Sequence, residues 1–230
     1  MNKPASPSLL SALLSAATLS ALCLALPSQA AEREWAKYKS MVEGLRIDKF
    51  YAVPAAERDR VKLYITVKPR NKDLKPEDVV LTVVNGNERQ PLPPLTPDYR
   101  LDFGAPNPRW MNDTARIVTT LPPGEKSAIG YEGVVVLPDG VQWPYASVMG
   151  SVGQMNNAIK KMAGAMSMFA PSVEVVVFKF AKPATLKIGN TVLNTNAKNL
   201  IVVKPEAAKL KENPLMVASE RPIEAELRDE

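Results

Sequence analysis

The chain has 230 residues, 46% of them hydrophobic and 23% charged, with one cysteine, no histidine and a formal net charge of +5. Lacking histidine, it cannot run a Ser-His-Asp or Cys-His mechanism, build a His-ligated metal site or hold haem through imidazole. Its 21 prolines exceed the usual share of about 5% and are kept out of helix interiors and central strands, so they predict short elements, many connections and a mainly β protein.

Behind Lys3, residues 9–26 are uncharged Leu, Ala, Ser and Thr plus Cys23, and small residues stand at Ser28 and Ala30 before the charges begin at Glu32. This pattern predicts a cleavable signal peptide over residues 1–30, cut after Ala30, and a periplasmic or secreted product. The apolar run is short for a span of about 20 residues, and no later segment approaches that length, so no stable membrane span is expected after cleavage. Leu22 stands where a lipidated Cys23 would want a small residue. Cleavage would remove the only cysteine and leave a charge of +4. The basic residues are scattered, so no nucleic-acid partner is expected.

In residues 31–46, Trp35, Tyr38, Val42 and Leu45 recur at helical spacing and predict one short amphipathic helix. Residues 61–67 alternate apolar and polar, a strand with one dry face. Residues 79–84 form a second strand ending in the Asn85-Gly86 turn signal, and further strands are predicted at 99–103, 115–120 and 130–137. Pro138-Asp139-Gly140 predicts a hairpin between 130–137 and 141–148. Later strands are expected at 173–180, 185–188, 191–193 and 200–203, with Gly189-Asn190 as a second tight turn.

Residues 81–129 and 186–227 follow one order: strand, Asn/Gly turn, extended stretch, Asn112 or Asn213, an apolar pair, small hydroxyl residues, and Pro122 or Pro222. Identities are few, so either duplication or common β-sheet grammar accounts for this. The expected fold is mainly β and sandwich-like, with two pseudo-repeated β lobes as one form of it, a short N-terminal helix and one Met-rich amphipathic helix between strands. The corresponding divisions are 31–148, 149–171 and 172–230, with a single domain over 31–230 as the alternative.

The Met-rich segment, residues 150–170, places Val152, Met155, Ile159, Met162, Met166 and Phe169 at helical spacing, with Pro171 as the predicted stop. A methionine stripe of this kind is first a core face. Thioethers also suit Cu(I), which makes Met155, Met162, Met166 and Met168 the metal candidates, and an adaptable apolar binding groove is a third reading.

Two enzyme chemistries survive without histidine, a carboxylate pair as in glycan hydrolysis and a serine-lysine pair. Asp98, Asp102, Asp113 and Glu132 fall near predicted strand ends, and Ser147, Ser151 and Lys160 lack a nucleophile turn. Trp110, Trp143 and Tyr145 sit at proline-rimmed edges, where they could stack a sugar if exposed or close the core if buried. No cofactor motif is present, and no cofactor is expected.

The leader, the short helix and the recurrent Ser/Thr-to-Pro order (Thr120-Leu121-Pro122 and Ser219 to Pro222) resemble uncharacterised exported proteins of Gram-negative bacteria, grouped as domains of unknown function. The resemblance implies a compartment and carries over no catalytic residue. The expected role is a non-enzymatic, envelope-associated binding protein with a protein or glycan partner. Soft-metal binding and carboxylate-dependent glycan hydrolysis are the alternatives; ligand identity and oligomeric state are not encoded in any motif.

Overall fold

The computed structural model describes residues 32–229, so the predicted leader and its cleavage site lie outside the described residues. Fourteen strands form three antiparallel sheets. The first seven are β1 (Arg33–Lys37), β2 (Val61–Pro69), β3 (Leu81–Asn85), β4 (Glu88–Pro91), β5 (Arg100–Leu101), β6 (Arg116–Thr119) and β7 (Ser127–Val135). The second seven are β8 (Gln142–Pro144), β9 (Val175–Lys179), β10 (Thr185–Ile188), β11 (Thr191–Asn194), β12 (Leu200–Val203), β13 (Leu215–Ala218) and β14 (Glu224–Arg228). Helices α1 (Tyr38–Gly44) and α2 (Ile47–Tyr51) follow β1, α3 (Tyr145–Ala163) follows β8, and α4 (Ala207–Glu212) precedes β13.

The strand order is that of a duplication. One outer sheet runs β1-β6-β3-β4 and the other β8-β13-β10-β11; the central sheet runs β5-β2-β7-β14-β9-β12. Adding seven to every strand number in the first half gives the second half, and the halves join where β7 pairs antiparallel with β14. Side chains at alternate positions of the central sheet point toward the outer sheets. Ile65, Val67 and Leu101 enter a core with Tyr38, Leu81 and Ile117, while Phe178, Ile201 and Ala225 enter a second core with Tyr145, Leu186 and Met216.

The repetition extends to single hydrogen bonds. Tyr38 and Tyr145 each open a helix, are buried, and donate their backbone N–H to Ala115 O and Pro214 O, at 3.0 and 2.9 Å. Their hydroxyls accept from the backbone N–H of Asn107 and Glu206 at 3.0 and 3.1 Å. Thr96 and Asn196 receive a backbone bond and a side-chain bond from the turns ahead of β5 and β12. Both turns place a non-glycine residue, Tyr99 or Asn199, at φ of 60° or 57°. Thr120 and Ser219 hydroxyls each accept from a strand N–H, Val80 or Thr185, at 2.9 Å. Gly86 and Gly189, at φ of 62° and 56°, close the two hairpins with the left-handed geometry that glycine adopts without steric cost.

Three expected elements differ. Within the predicted N-terminal helix, Arg33–Lys37 are instead strand β1, because they pair with β6 and Arg33 donates to the carbonyls of Leu121 and Glu125; helix begins only at Tyr38. No hairpin joins residues 130–137 to 141–148, since β8 pairs with β13 in the second outer sheet and α3 starts at Tyr145. Pro138-Asp139-Gly140 instead links the halves, and Arg221 Nη1 donates to the carbonyls of Pro138 and Gly140. The Met-rich helix ends at Ala163, because Gly164 takes a positive φ of 58°; residues 164–169 continue as a 3-10 turn.

Candidate functional site

The face of the central sheet turned away from the cores carries charge. Arg100 on β5 and Glu226 on β14 are buried there, beside half-buried Glu132 on β7 and Glu224 on β14. Its Nε donates to Glu132, one terminal nitrogen to Glu224 and the other to Glu226, the last at 2.6 Å. Lys179 on β9 lies 3.8 Å from Asp98, just ahead of β5. Strands β5 and β9 are four strand steps apart in this sheet, so a flat sheet would hold them about 19 Å apart at about 4.8 Å per step. The sheet is therefore coiled, with the charged face concave. The hollow measures about 450 Å³ and is lined by Lys68, Arg100, Glu132, Lys179, Glu226 and Arg228 among others.

Burial by itself would raise the carboxyl pKa of Glu226, but hydrogen bonds from Arg100 and Arg228 outweigh it and hold the group at about 2. Burial also pulls the Arg100 guanidinium down, and the bonds to Glu224, Glu226 and Glu132 overcome that and leave it raised. Each charge in the hollow thus has a partner: Lys68 sits on Glu132, Lys179 on Glu226 and Asp98, and Arg228 on Glu226. The chemistry of this cluster is that of a clasp, since a first-half arginine binds second-half carboxylates. A glycosidase acid needs a carboxyl pKa raised toward neutrality, and Glu226 is displaced the other way.

Of the candidate acids from the sequence, Asp98 and Glu132 line this hollow, against Lys179 and against Arg100 and Lys68, whereas Asp102 and Asp113 lie elsewhere and face Lys62 and Lys39. Trp110, Trp143 and Tyr145 are 8%, 0% and 0% exposed, so none presents a ring face for a sugar to stack on. Two of the buried polar tips are satisfied inside: Trp143 Nε1 donates to Pro138 O at 2.9 Å, and Tyr145 makes the repeated hydroxyl bond. Trp110 instead meets Tyr38 edge-on, with centroids 5.4 Å apart.

The four methionines are divided between two environments. Met155 is buried in the second core, its methyl filling the space left by Gly133, and Met162 packs partly buried against the same cluster. Met166 and Met168 lie beyond the helix end, 63% and 81% exposed, beside Phe169 at 76%. A site shared by Met155 and Met168 would need the core to open.

This exposed turn is the feature that sequence reasoning missed. Residues 164–174 join α3 to β9, and the equivalent link in the first half, residues 52–60, joins α2 to β2. The first-half link ends in the charged run Glu57-Arg58-Asp59-Arg60, which is tied down: Glu57 bonds Lys161 and Asn157, Asp59 accepts from Gln154, and Arg60 donates to Ala146 O. Its counterpart presents three large apolar side chains to solvent. The only available sequence signal was Gly164, which ends the helix before its last two methionines.

No model of a known protein family, no curated protein and no solved structure matches the chain.

Proposed function

We propose that the protein is a non-enzymatic, envelope-associated binding protein that engages its partner through the turn formed by Met166, Met168 and Phe169. The observation that carries this reading is the exposure of three neighbouring large apolar side chains at a link whose counterpart in the other half carries the charged run Glu57-Arg58-Asp59-Arg60. A duplicated scaffold with a polar solution at one end has no folding requirement for an apolar one at the other. Contiguous exposed apolar surface of this kind marks a contact site. Methionine and phenylalanine suit it, since the thioether is adaptable and the ring supplies area.

The export signal expected at residues 1–30 supplies the compartment for this reading. The test is a photo-reactive benzophenone amino acid in place of Phe169, irradiated in intact cells, with Asn190 substituted in the same way as the remote control. Adducts to an envelope protein or lipid at 169 and none at 190 are the expected result. Absence of any adduct at 169 would remove the proposal.

A further inference from the structure

We infer that the turn at residues 164–169 is an interfacial anchor for an anionic bilayer surface, an inference that rests on the docking reading above and names the partner. Three observations select a bilayer over a protein. The apolar group is small, since three side chains expose a few hundred Å² at most against the roughly 800 Å² that each partner gives to a stable protein interface. Its geometry is a turn in which Met166, Met168 and Phe169 are all exposed to solvent, with exposed Gly164 and Ala165 beside them.

The charge along this segment of chain is one-sided. From residue 140 to residue 173 the sequence holds no aspartate or glutamate, while Lys160 and Lys161 occupy the last turn of α3 next to the apolar tip. Lys161 is shared with Glu57, and Lys160 makes no ion pair among the described residues. Apolar side chains backed by lysines match the boundary between acyl chains and anionic headgroups, where the rings and thioethers leave water and the ammonium groups remain among phosphates. Three side chains give a reversible attachment rather than a permanent one.

The experiment places an environment-sensitive fluorophore on the full chain at Met168→Cys in a Cys23→Ser background, with Asn190→Cys as control. Each is titrated with vesicles of phosphatidylcholine alone and of equimolar phosphatidylcholine and phosphatidylglycerol. The expected result is a blue shift at 168 and none at 190, about tenfold tighter on the anionic vesicles and weakened by molar salt. Attachment through residues 1–30 alone would leave the 168 label in water. Phe169→Ser should abolish the shift and Phe169→Trp retain it, while Lys160→Glu should erase the anionic preference. No shift at 168, an equal shift at 190, or equal response to neutral and anionic vesicles would overturn the inference. A protein adduct in the cell cross-linking experiment together with silence on vesicles would sink the bilayer anchor and leave the docking reading standing.

Discussion

The two halves of the molecule share strand order, hairpin turns and the tyrosine that opens each helix, yet differ at two places. At the position that is Arg100 on β5, the second half has Leu200 on β12, so the equivalent carboxylates Glu132 and Glu226 both serve the one arginine. At the link from helix to central strand, the first half is charged and tied down and the second is apolar and exposed. What recurs is what holds each sandwich together; what differs is how the halves are joined and what the molecule shows to its surroundings.

Making the first half resemble the second at its clasp should have the largest effect. Arg100→Leu leaves Glu132, Glu224 and Glu226 facing one another without their cation, and a loss of about 3–5 kcal/mol in urea unfolding is expected. The same contact sets an acid dependence. Because the folded pKa of Glu226 lies below its ordinary value of 4.5, its contribution is fully present above about pH 4.5 and fades as the pH falls toward 2. The wild type should lose stability through that window, and Arg100→Leu should lose less. An equally steep acid loss in the variant would show that the clasp is not the source.

The shared tyrosines come next. Tyr38→Phe and Tyr145→Phe each strand a backbone N–H, of Asn107 or Glu206, and should cost about 1–3 kcal/mol by comparable amounts. A large cost at one and none at the other would break the equivalence of the halves. The smallest effect is expected at the exposed turn, where Met168→Ser with Phe169→Ser should alter unfolding free energy by no more than about 0.5 kcal/mol, as for surface positions generally. A clear destabilisation there would mean that the turn serves the fold after all.

Strands whose two faces see different surroundings were legible in the sequence. Val61, Leu63, Ile65 and Val67 alternate because one side of β2 meets the cores, and the hairpin of β10 and β11 announces itself through Gly189-Asn190. The recurrent order of Asn112 and Asn213, Thr120 and Ser219 also marked the duplication, since those side chains make its turns and caps. Strand β14 stayed hidden because Glu224-Ala225-Glu226-Leu227-Arg228 looks like a solvated segment until Arg100, more than a hundred residues earlier, is brought against it. The tryptophans stood open to either reading for a related reason: their proline-rimmed edges fit exposure or burial, and the partners that bury Trp110 and Trp143 come from other parts of the fold. The turn at Met166 was read as helix because its spacing continues the stripe of α3, and only the backbone reversal at Gly164 separates the two.

The place of β14 inside the central sheet bears on how the molecule is made. Residues 224–228 slot between β7 and β9, so the two halves of that sheet cannot be joined until the chain is available as far as residue 228. Under the export proposed above, a chain threaded through a translocation channel, amino end first, would complete its folding only once residues 224–228 had emerged on the far side.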